Sequence, residues 1–171
     1  MKFPVYVNLV VVGVERYGGD GLELGLIKLP GGLSLAETKL EHGEKSSKVA
    51  VELVKKYIDI DSFDRDLLLL SPVGFLDAPN RYGQTRLHAG YKKASCTDSS
   101  HQDIALIYKV IVPLNASLKD EMEWIDFELF ADDNTPEQRS KLRNLIAYAN
   151  NQDKPFCKDH LNIIDMAFQD G

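Results

Sequence analysis

Cysteine is scarce in this sequence, and no apolar stretch is long. The two cysteines, Cys96 and Cys157, stand far apart in 171 residues, whereas small secreted domains that depend on disulfides carry a denser framework. We therefore expect both to be reduced thiols of a cytoplasmic protein. No run approaches the roughly 20 apolar residues of a membrane-spanning helix, so we expect no membrane insertion. Asn8 interrupts the apolar segment that begins at Val5, which favours a buried strand over a signal peptide.

Positive charge is also in deficit, since 20 lysines and arginines face 26 acidic residues and give a formal net charge of −6. Such a chain has no overall attraction to nucleic acid or to an acidic membrane surface. The sequence has no phosphate-binding P-loop and no nucleophile elbow. The histidines, which show no metal-ligand spacing, are His42, His88, His101 and His160. What remains is an ordinary globular composition, 44% hydrophobic and 27% charged.

The order of apolar patterns predicts an α/β chain of the α+β type. The predicted strands are residues 5–14, 22–29, 66–76, 104–112 and 123–130, and the predicted helices are residues 47–57, 135–149 and 160–168. Strands and helices do not alternate regularly, which favours a sandwich of helices around a mixed sheet over a doubly wound fold. Residues 77–103 are polar and rich in turn-forming residues, and loops of that length are often functional. No linker divides the chain, so we expect residues 1–171 to form one domain.

The helix predicted at residues 47–57 has two distinct faces. Its apolar face is expected to pack on the sheet and consists of Ala50, Leu53, Val54, Tyr57 and Ile58. Its polar face consists of Lys48, Glu52, Lys55, Lys56 and Asp59. Ser46 or Ser47 is expected to cap its first turn.

This order of elements, together with Gly43-Glu44 just before the helix, resembles the Nudix superfamily. In that family a strand hairpin leads to a helix that carries the catalytic box, often after a Leu-Pro-Gly-Gly segment. The box runs Gly, five residues, Glu, seven residues, then Arg-Glu-hydrophobic-any-Glu-Glu-any-Gly-hydrophobic. The resemblance implies an α/β/α sandwich with a mixed sheet. It also implies hydrolysis of nucleoside-diphosphate-linked substrates by Mg²⁺ ions, which the box glutamates hold.

Three alignments to the box are open. Without a gap, Glu44, Val54 and Ile60 match, and the remaining positions do not. With one residue fewer in the helix, Glu52 and Leu53 fit the Glu-hydrophobic step while Lys55 and Lys56 replace the glutamate pair. In the third, Leu29-Pro30-Gly31-Gly32 is the family's Leu-Pro-Gly-Gly, followed by an insertion. We favour the second, because it places the family's metal positions on the polar face of the helix.

The altered box implies weak catalysis. Glu44 and Glu52 are the candidate catalytic and metal-binding residues, but the two lysines should repel a divalent cation. An ammonium group can instead hold a phosphate directly. The resemblance also places residues 77–91 beside the ligand, where Arg81 or Arg86 would clamp a phosphate. The ligand-binding candidates are therefore Lys55, Lys56, Arg81, Tyr82 and Arg86.

We accordingly expect a Nudix-like domain with a degraded catalytic box, which binds a nucleotide, a nucleotide sugar or a protein partner with little or no hydrolysis and needs no cofactor. One alternative is an active, divergent Nudix pyrophosphohydrolase that uses Mg²⁺ with Glu44, Glu52 and loop carboxylates. The other is a structural interaction domain, such as a homodimer formed through an exposed strand edge. Fold alone does not choose among them.

Overall fold

The computed structural model describes residues 4–15, 22–76, 104–126, 156–157 and 160–169. The strands in these residues are β1 (Val5–Val14), β2 (Leu22–Leu29), β3 (Gly32–Ser34), β4 (Ala36–Lys39), β5 (Ile58–Asp59), β6 (Leu69–Leu76), β7 (Ile104–Pro113), β8 (Ser117–Leu118) and β9 (Met122–Asp126). The α-helices are α1 (Ser46–Tyr57) and α2 (His160–Gln169), and Arg65–Leu67 forms a short 3₁₀ helix.

Strand β1 lies inside the main sheet, and this position explains its sequence, which is apolar almost throughout and is interrupted by Asn8. It runs parallel to β7 along its whole length, with Val5 opposite Ile104 and Val14 opposite Pro113. Its other edge pairs antiparallel with β4 at one end and with β2 at the other. A strand that is paired on both edges and covered on both faces is expected to be apolar at every position rather than at alternate ones.

The remaining strands extend this sheet and add a second, small one. The main path is β3-β2-β1-β7-β6, and β9 pairs with β2. Both parallel and antiparallel pairs occur, so the predicted mixed sheet is confirmed. Strands β5 and β8 form a separate two-stranded sheet directly after α1.

The two α-helices that the structure describes cover opposite faces of the main sheet. Val7, Leu9 and Val11 point into the core beneath α1, whereas Val10 and Val12 point into the core beneath α2. This alternation follows from the two-residue period of a strand. The result is the α/β/α sandwich that the sequence predicted.

The structure differs from the sequence predictions at the start of α1, at the short strands and at Cys157. Helix α1 begins after Lys45, whose side chain makes no capping hydrogen bond, so the serine cap was wrong. The short strands β3, β4, β5 and β8 were not predicted. Cys157 is disulfide-bonded, so a reduced thiol was wrong there and the cysteine count no longer supports a cytoplasmic location. The predicted helix at residues 135–149, the loop at 77–103 and Cys96 lie outside the described residues.

Candidate functional site

Helix α1 turns its charged stripe to solvent, as predicted. Its buried residues are Val49, Ala50, Leu53, Val54 and Tyr57. Its exposed residues include Lys48, Glu52, Lys55 and Lys56. Without a gap, the box positions for glutamates would fall on Leu53, Lys56 and Tyr57, and two of these, Leu53 and Tyr57, face the core. The alignment with one residue fewer places them on Glu52, Lys55 and Lys56, and burial therefore favours that alignment.

The third alignment does not fit the hairpin geometry. Leu29 pairs with Gly32 across a two-residue turn of Pro30 and Gly31, and β3 then returns antiparallel along β2. These residues join two strands of one hairpin. The segment that leads into α1 is instead β4 and the turn after it, the stretch over which the other two alignments run.

The turn before α1 is closed by Glu44 itself. The Glu41 amide donates to Glu44 Oε1 at 2.8 Å, and the Glu44 amide donates to the Glu41 carbonyl at 3.1 Å. Gly43 between them has φ of +87°, a left-handed conformation that favours glycine. The Glu44 carboxylate is exposed and engaged with its own turn.

Glu44 and Glu52 are separated along the axis of α1. Glu44 precedes the helix, and the rise from Ser46 to Glu52 is roughly 9 Å at 1.5 Å per residue. Across the part of the chain that the structure describes, no group of three or more acidic, histidine or cysteine side chains is placed to hold a metal ion. Within the described residues, Glu44 and Glu52 thus belong to no such group, whereas Mg²⁺ prefers several oxygen ligands around it.

Lys55 and Lys56 lie in the last turn of α1. Cations are stabilising there, because the C-terminal end of a helix carries a partial negative charge. The Lys56 ammonium also lies 5.1 Å from the centre of the Tyr57 ring. Among the described residues neither lysine forms an ion pair, and Glu52 forms none with Lys56. Both ammonium groups are thus held near the helix end and remain open to an anion from solvent.

A buried polar cluster on the opposite face of the sheet was missed from the sequence. His160, the first residue of α2, is buried, and its Nδ1 accepts the Leu35 amide hydrogen at 3.1 Å. The ring proton must then be on Nε2, which donates to Glu37 Oε2 at 3.0 Å. The Ser34 hydroxyl donates to the Leu35 carbonyl at 2.8 Å.

This cluster links α2 to the sheet and leaves no ring nitrogen of His160 free for catalysis or metal binding. Both ring nitrogens of His160 are occupied, so neither offers a lone pair to a metal ion or takes a proton from a serine. Ser34 Oγ lies 3.5 Å from Nδ1, at the limit of a hydrogen bond, and its proton is already committed. His160 therefore fastens α2 to the strands before α1. Only its tertiary position shows this, since a lone histidine in the sequence carries no such signal.

Asn8 lies beside this cluster and differs from the other buried polar residues described, because its side chain has no hydrogen-bond partner among the described residues. It is fully buried in β1, directly across from Glu37 in β4. Neither its amide nitrogen nor its amide oxygen has a hydrogen-bond partner among the described residues. A buried carboxamide of this kind lowers stability, because it has lost water without replacing it.

Three of the predicted ligand-binding residues, Arg81, Tyr82 and Arg86, lie outside the described residues.

The helices that are described are too short or too polar to cross a membrane.

Solved structures resemble this arrangement of sheet and helices. A MutT/Nudix family protein from Listeria innocua superposes with a TM-score of 0.58 at 17% identity, over 98% of this chain and 92% of that one. The NUDIX domain of Shewanella oneidensis NrtR, in complex with ADP-ribose, gives 0.57 at 11% identity over 99% and 89%. The chain has a Nudix fold. At these identities the likeness establishes the fold and leaves the activity open.

Some structural neighbours are considerably larger proteins. A bifunctional NMN adenylyltransferase/ADP-ribose pyrophosphatase from Francisella tularensis matches with a TM-score of 0.56 at 13% identity. The match covers 98% of this chain and 41% of that protein. No protein-family model matches the sequence, and no curated protein does.

Proposed function

We propose that this Nudix-fold domain binds a ligand containing a nucleoside diphosphate through the charged stripe of α1, with little or no hydrolysis. The observation that carries the proposal is the exposure of Lys55 and Lys56 at the positions where the aligned box has its glutamate pair. Two ammonium groups on one helix turn can neutralise phosphate oxygens that a Mg²⁺ ion would otherwise neutralise.

The same exchange disfavours the metal-dependent reaction. A Mg²⁺ ion in a hydrolase polarises the phosphate and activates water, and it needs several carboxylate or water oxygens around it. On α1 the exchange leaves Glu52 as the single carboxylate beside two cations. Coulomb repulsion from those cations weakens the binding of a divalent ion at this position. Binding without a metal cofactor is therefore the expected behaviour, and Mg²⁺ would be needed only by an active enzyme.

ADP-ribose is the first ligand to test, because the NUDIX domain of NrtR, with a similar fold, was solved with it. Calorimetric titration in EDTA should give binding to the wild-type protein. A charge-assisted contact is worth about 1.5–3 kcal/mol, so Lys56→Gln should weaken binding roughly tenfold or more. The matched control is Lys28→Gln, since Lys28 lies on β2 and pairs with Glu123 at 3.0 Å. Binding that requires Mg²⁺, or that is lost equally in the control, would contradict the proposal.

An activity panel separates this proposal from an active enzyme. ADP-ribose, diadenosine polyphosphates, NADH and nucleoside triphosphates should show no appreciable turnover with Mg²⁺ or Mn²⁺. Turnover that EDTA and Glu52→Gln both abolish would establish a divergent hydrolase with Glu52 as a metal ligand. Turnover lost instead in Glu44→Gln would assign that role to the carboxylate before the helix.

A second candidate function, self-association, is favoured by strand β6. This strand ends the described sheet path and exposes two large apolar side chains, Leu69 at 61% and Phe75 at 59%. Exposed apolar side chains on an outer strand favour pairing with another chain. Pro72 and the irregular register between Pro72 and Gly74 limit how long such a pairing can be. Light scattering on the wild type and on Phe75→Glu tests it, and a monomer in both would exclude it.

A further inference from the structure

A cavity of about 430 Å³ lies at the carboxyl ends of the parallel strands β1 and β7. It is lined by Val14, Glu15, Phe63, Asp64, Leu67, Pro113, Leu114 and Asn115. None of these residues belongs to the charged stripe of α1 or to the His160 cluster. The volume falls in the range of small-molecule sites, and crevices beyond the carboxyl ends of parallel strands are common binding places.

The wall of this cavity is held in place by the fold. Leu114 donates its amide to the Val14 carbonyl at 3.1 Å, which ties the ends of β7 and β1 together. Elsewhere in the lining, Asp64 Oδ1 accepts the Asp66 amide at 3.1 Å and caps the short 3₁₀ helix. Ser62 Oγ accepts the Ser117 amide at 2.9 Å. These hydrogen bonds fix two parts of the described lining, the ends of β1 and β7 and the start of the 3₁₀ helix.

The lining combines an apolar body with an acidic edge. Of the lining residues that the structure describes, five are apolar, two are carboxylates, one is a carboxamide and none is a lysine, arginine or histidine. The nearby Arg65 guanidinium pairs with Asp61 and is largely exposed. A phosphate-bearing ligand would meet the Asp64 carboxylate here and no cationic side chain of the described lining, so this place does not suit the diphosphate proposed for α1.

We propose that this cavity binds a small organic cation with an apolar body, such as an aromatic amidine or amine. Phe63, Leu67 and Leu114 would bury the apolar part. The Asp64 carboxylate, whose described hydrogen bond uses one oxygen, would accept from the cationic group at the rim. The ring of Phe63 can add a cation–π contribution. This site is independent of the nucleotide proposal, and either can fail without the other.

The test is an NMR titration of the full chain with benzamidine, benzyl alcohol and benzoate. These probes share a benzene ring and differ in charge. Benzamidinium should shift the amide signals of Phe63, Leu67 and Leu114, benzyl alcohol should bind more weakly, and benzoate should not bind there. Asp64→Asn keeps the capping oxygen of the 3₁₀ helix and removes the charge. It should weaken benzamidinium two- to fivefold, as expected for a partly exposed ion pair of up to about 1 kcal/mol.

A second variant tests whether the probe binds in this cavity, independently of the charge of Asp64. Leu67→Trp should fill the cavity and abolish the benzamidinium shifts, and unchanged signals elsewhere would show that the chain still folds. If benzoate binds as tightly as benzamidinium, or if Asp64→Asn has no effect, the cation preference is wrong. If Leu67→Trp leaves binding unchanged, or if no probe shifts these amides at its solubility limit, the cavity is not a binding site.

Discussion

Helices α1 and α2 pack on opposite faces of one sheet, but they are held there differently. The described contacts of α1 with the sheet are apolar except for one hydrogen bond, between the Ser46 and Tyr108 hydroxyls at 2.8 Å. Its charged side chains stand in solvent. Helix α2 has more polar attachments beside its apolar face. Its first residue, His160, bonds to Leu35 and Glu37, and near its end the Lys109 ammonium donates to the Ala167 carbonyl at 2.9 Å.

This difference distinguishes polar groups that hold the fold together from charged groups that remain accessible to a ligand. On the α2 face the polar groups that the structure describes are mostly engaged with one another, with Asn8 as the exception. On α1 the fold uses the apolar residues and the Ser46 hydroxyl, so its charged residues can change without disturbing the core. A catalytic box on such a helix can therefore lose carboxylates while the fold persists.

The largest expected effect is the loss of the apolar anchor of α1. Leu53→Ala removes a buried side chain beneath the helix and should lower the free energy of unfolding by about 2–5 kcal/mol. Val51→Ala on the same helix is the matched control, because Val51 is 39% exposed. The control should change stability by less than about 0.5 kcal/mol. Urea melts in which the two variants behave alike would mean that the burial of α1 is wrong.

Loss of the polar attachment of α2 should have the next largest effect. His160→Ala leaves the Leu35 amide and the Glu37 carboxylate without their buried partner, which should lower the free energy of unfolding by about 2–4 kcal/mol. His42→Ala, at an exposed position in the turn before α1, should have no measurable effect. Should the His160 variant melt with the wild type, the two helices would be held alike and the contrast between the faces would disappear.

These two helices also show what sequence could predict. The bounds of β1, β2 and α1 were predicted to within a residue, because long apolar periodicity reports directly which positions are buried. Strands β3 and β4 were missed because each is only three or four residues long, and a turn at Pro30-Gly31 hides their continuity with β2. The serine cap failed because Ser46 is already the first residue of the helix, and its hydroxyl forms a hydrogen bond with the Tyr108 hydroxyl at 2.8 Å.

The candidate site was only partly predictable. The exposure of Glu52, Lys55 and Lys56 followed from helix periodicity and was confirmed, whereas their role in binding stays a prediction. The His160 cluster could not be predicted, because its partners are more than 120 residues away in sequence. The cavity beyond β1 and β7 depends on bringing residues 14, 63 and 113 together.

A substitution of Asn8 is expected to raise the stability of the protein, whereas the two substitutions above lower it. Leucine has nearly the same shape as asparagine and needs no hydrogen bond, so Asn8→Leu should raise the free energy of unfolding by about 1–3 kcal/mol. Asn8→Asp is the contrasting variant and should destabilise, because it buries a charge across from Glu37. If Asn8→Leu were destabilising, the carboxamide would have a partner, such as a buried water, in solution.

The smallest expected effect tests the charged stripe itself. The double variant Lys55→Glu/Lys56→Glu places three carboxylates, with Glu52, on one exposed face at the spacing of the aligned box. In EDTA it should be less stable than the wild type by about 1 kcal/mol, because negative charge at the C-terminal end of α1 opposes the helix dipole. Mg²⁺ should return that stability in the variant by binding the folded state, and should leave the wild-type melting temperature unchanged. The matched control, Lys55→Gln/Lys56→Gln, removes the cations without adding ligands and should not respond to Mg²⁺. A wild-type protein that Mg²⁺ stabilises as strongly as the variant would show that a metal site exists despite the lysines. A variant that Mg²⁺ does not stabilise would show that this face of α1 lacks the remaining ligands of a Nudix metal site.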